Sequence, residues 1–262
     1  MEPRLLVVGG GRMGSALVHG LLGAGWSPTD IVVVEPSAER RSVLSVELPG
    51  IEVRPEVTTS AAAVIAVKPA VGEEACRALS GAGTGRVLSI MAGVPLARLE
   101  SWLPLSSAVV RAMPNTPATV GAGVSVIAPG SRAAEGDLAW AEELLAAVGH
   151  VVRLPEASLD AVTGLSGSGP AYVFLVVEAL IEAGTASGLD PEVSRLLATD
   201  TLAGAAALLV ESGETPESLR QAVTSPGGTT EAGLRVLEDL GVRAAFVAAV
   251  AAATERSRQL AR

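Results

Sequence analysis

The chain has 262 residues, close to half of them apolar and 18% charged, with a net charge of -9 and a single cysteine, Cys76. That length leaves room for one large domain or two modest ones, and the apolar content excludes wholesale disorder. The acidic balance without a basic patch excludes a phosphate-neutralising nucleic-acid binder, and one cysteine excludes an intramolecular disulfide or a thiolate-rich metal site, which fits a reducing cytoplasm.

The N-terminal MEPRLLVVGGG lacks the basic start, long apolar stretch and cleavage site of an export signal, so none is expected. LLVV (5–8) reads as a strand buried on both faces, as do IVVV (31–34), AVIAV (63–67), RVLSI (86–90) and AVVRA (108–112). Helical stretches such as MGSALVHGLLGAG and PAVGEEACRAL alternate with them, which predicts a Rossmann-like, doubly wound and mostly parallel sheet. GVSVIA (123–128) and HVVRL (150–154) extend the sheet, with a helix over SRAAEGDLAWAEELLAAVG between them. SGSGP (166–170) reads as a tight turn with Pro170 starting a helix.

Beyond residue 154 the strand signal stops, and five stretches from AYVFLVVEALIEAG to VRAAFVAAVAAATERSRQL show helical periodicity. Pro191 and Pro216 stand at first helical positions. The division expected is a dinucleotide-binding domain over 1–155 and an all-helical dimerisation and substrate domain over 156–262. AYVFLVVEALIEAGTASGL is the best membrane candidate, but Glu178 and Glu182 interrupt it, so it is expected to be a buried helix of a soluble protein. The broad Ala- and Gly-rich faces of the helical half exceed what so small a domain buries alone, which predicts an interleaved homodimer.

GGGRMG (9–14) follows the first strand and opens the first helix. Gly9, Gly11 and Gly14 have the G-x-G-x-x-G spacing: the first makes the tight turn, the second admits a pyrophosphate, the third lets helix pack on strand. Arg12 and Met13 lie inside that turn, at a helix start whose amides face the phosphates. Glu35, ending the second strand, suits a ribose 2′-hydroxyl and so NADH, while Arg40 and Arg41 just beyond offset its repulsion of a 2′-phosphate. Both NADH and NADPH stay open as cofactors. His19 and His150 pair with no Ser/Asp or metal set, and no metal is expected.

Three further stretches follow in order: AVKP (66–69), RAMPNTPATVGAG (111–123), and LSGSGPAY (165–172) with VTSPGGTTEAG (223–233). With GGGRMG they make the whole chain resemble the pyrroline-5-carboxylate reductases, which carry out the last step of proline biosynthesis. The resemblance implies NAD(P)H-dependent reduction of a cyclic imine to L-proline, at a site between the two domains completed across a homodimer, often in a ring of dimers. It implies that Ala66, Val67, Lys68 and Pro69, with Ala92 of MAGV (91–94), line the cofactor, and that the loop bearing Asn115 approaches the nicotinamide. This chain departs from the family in one place: before AVKP it has only AAAVI where a longer segment with a short helix is usual. Ser60 is then the nearest candidate for an adenosine contact.

The same resemblance assigns the substrate carboxylate to VTSPGGTT, and the chemistry agrees. A helix start offers unpaired amides and a partial positive charge. Gly227 and Gly228 let a carboxylate approach the amides of Gly228, Thr229 and Thr230, and Ser225 either caps the turn or adds its hydroxyl. Thr230 is the expected catalytic residue, orienting the ring nitrogen and relaying a proton from water. A β-hydroxyacid dehydrogenase would need a lysine in the second half, and Lys68 is the last lysine in the chain. A non-catalytic nucleotide-binding dimer would have no use for SPGGTT together with MPNTP.

Overall fold

The computed structural model describes residues 4–260; residues 1–3, part of the stretch read for an export signal, and 261–262 lie outside it. The chain packs as two units. The first runs to Ser168 and takes in the chain again from Ala251, and the second is Gly169–Val250.

In the first unit, β1 (Leu5–Val8), α1 (Arg12–Gly23), β2 (Ile31–Val34) and α2 (Ala38–Glu47) form the opening βαβα run, followed by β3 (Glu52–Arg54) and β4 (Ala62–Ile65). Then come α3 (Gly72–Gly81), β5 (Arg86–Ser89), α4 (Leu96–Trp102), β6 (Ala108–Met113), β7 (Gly123–Pro129), α5 (Glu135–Ala146) and β8 (Gly149–Arg153). The strands lie in the order β3-β2-β1-β4-β5-β6-β7-β8, parallel except that β7 runs antiparallel to β6. Every residue of β1, β2 and β4 is buried, as unbroken apolar runs require when helices cover both faces. Alternation divides them: Leu5 and Val7 join Leu17, Leu21 and Leu44 on one face, while Leu6 and Val8 join Leu79 and Leu99 on the other. Each fully buried leucine contributes about 1.5–3 kcal/mol. Cys76 sits in the second of these layers, where burial, helped by the charge of Glu73, pushes its thiol up to about 12. A neutral thiol of this kind is inert as a nucleophile.

Past β8 the helix path departs from the sequence expectation. α6 (Leu159–Val162) passes into a wide helical turn over Thr163–Gly167, closed by Ser168 N–H donating to Thr163 O at 2.8 Å, and then into α7 (Gly169–Ala186). SGSGP is therefore not a tight turn but a π-type widening of a helix. Gly167 does not reverse the chain, and the flexible end of Met113 packs against it, 2.4 Å from where a Cβ would stand. The packing boundary between Ser168 and Gly169 also falls later than the 155/156 division. Leu159, 1% exposed, belongs to the first unit's core, and Ser257 near the chain's end donates to Asp160 Oδ1 at 2.7 Å.

The second unit holds α7, α8 (Pro191–Ser212), α9 (Pro216–Ala222), α10 (Thr229–Asp239) and the start of α11 (Val242–Leu260). Asp190 caps α8 through the amides of Glu192 and Val193, and Thr215 caps α9 through that of Ser218, with Pro191 and Pro216 at the first turns. α7 and α8 pack together where Gly184 meets Ser194. The expectation of a buried helix at AYVFLVVEALIEAG is overturned within this chain: α7 has no buried residue, and Phe174 and Leu175 are each about 60% exposed. The helical run through α7, and α8, are long and apolar enough to cross a membrane, yet Glu178, Glu182 and Asp200 interrupt them. The physical reason for the exposure is number: the few helices of this unit cannot cover all its apolar faces.

Candidate active site

The first candidate site lies at the C-terminal ends of the parallel strands, beside the β1/β4 switch in strand order, where open α/β sheets leave a crevice. Gly9 leaves β1 with φ +108°, and a Cβ there would meet Ala66 O at 2.6 Å and Val67 Cγ1 at 3.0 Å. Thus the AVKP backbone forms one wall of the glycine turn. Gly14 brings α1 onto the turn so closely that a Cβ would lie 2.0 Å from Gly9 O. Gly11, by contrast, is exposed and faces open space, with nothing within 4 Å of the Cβ position. It stands as the N-cap of α1 with no side-chain cap and no acid in the first turn, where Arg12 and Met13 follow. An uncapped, glycine-lined helix start fits a dinucleotide pyrophosphate.

Glu35 stands across this turn. Its Oε2 accepts Gly10 N–H at 3.2 Å and its Oε1 accepts Ser37 N–H at 2.9 Å. Sequence reasoning passed over Gly10, whose Cβ position lies 2.3 Å from Leu44 Cδ1, and Ser37, which caps α2 through Arg40 N–H. The serine that opens SAERR was a readable cap signal. Lys68, Pro69 and Ala92 are exposed on the same C-terminal edge, after β4 and β5.

Ser60 is not part of this edge, and its assignment to adenosine is corrected. It precedes β4, and β4 runs parallel to β1 with Leu6 beside Ala63 and Val8 beside Ile65. Ser60 therefore lies at the opposite end of the strand from the glycine turn, roughly 15 Å away at about 3.3 Å per residue. It is 2% exposed and donates to Ala62 O at 3.0 Å.

Asn115 follows β6 on the cofactor edge, but its side-chain amide is committed to the protein. Its Oδ1 accepts Val124 N–H at 2.9 Å, and its Nδ2 donates to Ser166 O at 3.3 Å and Ser166 Oγ at 3.2 Å. The side chain thus clasps the MPNTP loop to β7 and to the wide helical turn. His19 and His150 are exposed, and no group of His, Cys, Asp or Glu suited to a metal occurs among the described residues.

The second candidate site lies wholly within the second unit. Ser225, Gly227, Gly228, Thr229 and Thr230 form one turn into α10, with Gly227 at φ +71° and Gly228 as N-cap. Two of its amides are already engaged: Gly227 N–H donates to Glu231 Oε2 at 2.7 Å, and Gly228 N–H donates to Ser225 O at 3.0 Å. Ser225 does not cap the helix with its side chain, since Gly228 lacks any side-chain cap. The first-turn amides of Thr229, Thr230 and Glu231 are the ones left to an anion. A groove of about 700 Å³ runs past Gly227 and Gly228, lined also by Arg220, Glu231, Arg235 and Glu238.

Residues 156–260 match the family profile described as pyrroline-5-carboxylate reductase dimerisation, and residues 4–93 match that described as NADP oxidoreductase, coenzyme F420-dependent. The chain is 43% identical to a pyrroline-5-carboxylate reductase of Synechocystis sp., covering 99% of both chains. It is also 43% identical to one of Mycobacterium tuberculosis, covering 98% of this chain and 96% of that one. Among solved structures, a pyrroline-5-carboxylate reductase from Coxiella burnetii superposes with a TM-score of 0.92 at 35% identity over the whole of both chains. A Plasmodium falciparum pyrroline carboxylate reductase with NADP bound gives 0.86 at 28% identity, covering 99% and 98%.

Proposed function

The chain belongs to the pyrroline-5-carboxylate reductase family, and from that premise we propose that it reduces the C=N bond of 1-pyrroline-5-carboxylate to give L-proline, using NADPH or NADH. The observation that carries the reading is the start of α10, two glycines and two threonines whose N-cap Gly228 has no side chain to cap the first turn, in a chain that aligns end to end with such reductases.

The reduced nicotinamide, when bound, supplies the hydride. Gly11 and the uncapped first turn of α1 hold the pyrophosphate, with Ala66–Pro69 and Ala92 along its path. Asn115 fixes the MPNTP loop from behind rather than touching the ring. The amides of Thr229 and Thr230 hold the substrate carboxylate, and being neutral they place no second full charge beside the ring nitrogen. Thr230 Oγ1 orients that nitrogen and passes it a proton from water, because an iminium accepts hydride more readily than a neutral imine. The remaining work is positioning, which lowers barriers by several kcal/mol when reacting atoms are held near contact.

Purified protein given 1-pyrroline-5-carboxylate should consume reduced dinucleotide at 340 nm, and well-folded protein giving a flat trace rejects the reading. Thr230→Ala should lower kcat roughly tenfold or more while dinucleotide affinity stays unchanged. A wild-type kcat in that variant would remove Thr230 from the chemistry.

The exposed faces of α7, α8, α10 and α11 are covered by a second copy in this reading. Phe174, Leu196, Leu237 and Phe246 are all more than 40% exposed in the single chain, and the matching profile over 156–260 is that of a dimerisation domain. Sedimentation at micromolar concentration should give a dimer or a multiple of it, and a lone monomer would contradict the pairing. One buried, unreactive cysteine accords with a cytoplasmic enzyme.

A further inference from the structure

Resting on the reading above, we propose that Glu35 makes NADH the preferred cofactor of this chain and turns away the 2′-phosphate of NADPH. The carboxylate is fixed from two sides, by Gly10 N–H of the glycine turn and by Ser37 N–H at the start of α2. An ionised carboxylate has about four acceptor positions. Two are occupied here, so each oxygen keeps room for one hydroxyl of the adenosine ribose. A 2′-phosphate brings acceptors and negative charge to the same place and has nothing to donate. A loosely held glutamate would swing aside for it. This one cannot do so without leaving two backbone amides unpaired.

Arg40 does not cancel that repulsion, because it is engaged on the protein. Arg40 donates Nε–H to Gly10 O at 2.8 Å and Nη2–H to Ser15 Oγ at 3.1 Å, and it pairs with Glu47 at 3.0 Å. Its guanidinium pins the glycine turn to α2. Arg41 donates from Nη1 to Glu35 O at 3.0 Å and to Pro36 O at 2.6 Å. A bidentate grip on phosphate takes two parallel donors from one guanidinium. Arg40 turns all three of its nitrogens to Gly10, Ser15 and Glu47 and has no such pair to spare. Arg41 is held only through Nη1 and keeps its Nε–Nη2 edge, a cation that the fixed carboxylate of Glu35 has to outweigh. α2 adds a further acid, Glu39, in its first turn.

The test is direct binding. Titration with NADH and with NADPH at matched ionic strength, followed by dinucleotide fluorescence, gives Kd for each. NADH should bind at least about tenfold more tightly, a difference of about 1.4 kcal/mol. Glu35→Gln keeps an acceptor but loses the charge, and it should bring the two Kd values close together; Glu35→Ser should do the same. NADPH bound as tightly as NADH by the unaltered protein overturns the assignment, as does an unchanged ratio in Glu35→Gln when its melting temperature matches the parent's. Turnover of 1-pyrroline-5-carboxylate is read separately. Selective NADH binding without turnover leaves the cofactor assignment standing and removes the reaction, whereas turnover with NADPH bound more tightly does the reverse.

Discussion

Gly14→Ala should lose both dinucleotide binding and several degrees of thermal stability, whereas Gly11→Ala should lose binding alone. The added methyl of Gly14→Ala would stand 2.0 Å from Gly9 O and 3.4 Å from Ala66 Cβ. Its main obstacle is a backbone carbonyl in a buried turn, not the far end of a flexible side chain, so α1 must back away from the sheet. Overpacking of this kind costs about 1–3 kcal/mol, and more where backbone meets backbone. At about 2–4 °C per kcal/mol for a chain of this size, the melting temperature should fall by roughly 5–10 °C. The displaced helix start no longer aims its amides at the pyrophosphate, and Kd for the dinucleotide should rise by at least a hundredfold, about 2.7 kcal/mol.

Gly11 is the control, because its Cβ position touches nothing in the protein and its φ of -73° suits alanine. Its methyl fills only the space that the ligand needs. Differential scanning calorimetry and fluorescence titration on both variants separate the roles. Equal melting temperatures for the two variants would mean that Gly14 does not set the helix–strand distance.

The closeness of Gly14 to Gly9 was legible in the sequence because both lie within the GGGRMG turn, whereas the approach of Ala66 and Val67 to Gly9 was not. The buried strands were legible as well: a run such as IVVV announces its burial on both faces. β3 was not, because Glu52–Arg54 is a short, polar, partly exposed strand beside β2 with no alternation long enough to read. Ser60 was misplaced because nearness in sequence to AVKP says nothing about which end of a strand a residue occupies. The direction of β4, set by its pairing with β1, decides that. SGSGP (166–170) was read as a tight turn because Gly and Ser usually break helices. Here Met113 and Asn115, some fifty residues earlier, hold them helical. The packing of Leu159 was not legible for a related reason. Periodicity showed that 159–162 is helical but not which core Leu159 enters. At the α10 turn the sequence offered the segment as a candidate, and only the structure showed that Gly227 and Gly228 spend their amides internally while Thr229 and Thr230 begin the helix.

The other large effect should come from Glu156→Ala. Arg111, on the buried strand β6, is only 5% exposed, and its Nη1 donates to Glu156 Oε1 at 2.8 Å. The same oxygen accepts Leu96 N–H at the first turn of α4, at 2.6 Å. One carboxylate oxygen therefore ties a central strand, a helix start and the lead into α6. Removing it strands a guanidinium in the interior and orphans an amide. Breaking a buried pair in this way costs about 3–5 kcal/mol, and because the Glu156 side chain is 34% exposed the lower end applies. The melting temperature should drop by roughly 6–12 °C. Arg111→Met combined with Glu156→Leu should recover most of the loss, since a well-packed apolar pair can replace a buried ionic one. The damage should also reach the cofactor edge. Leu96 closes the loop that carries Ala92, and Arg111 stands four residues before Asn115, so Glu156→Ala should weaken dinucleotide binding beyond what an exposed glutamate would explain. If the single variant melts within 2 °C of the parent, on the order of 0.5–1 kcal/mol, Arg111 finds water or another acceptor. The pair would then not be what anchors these three elements.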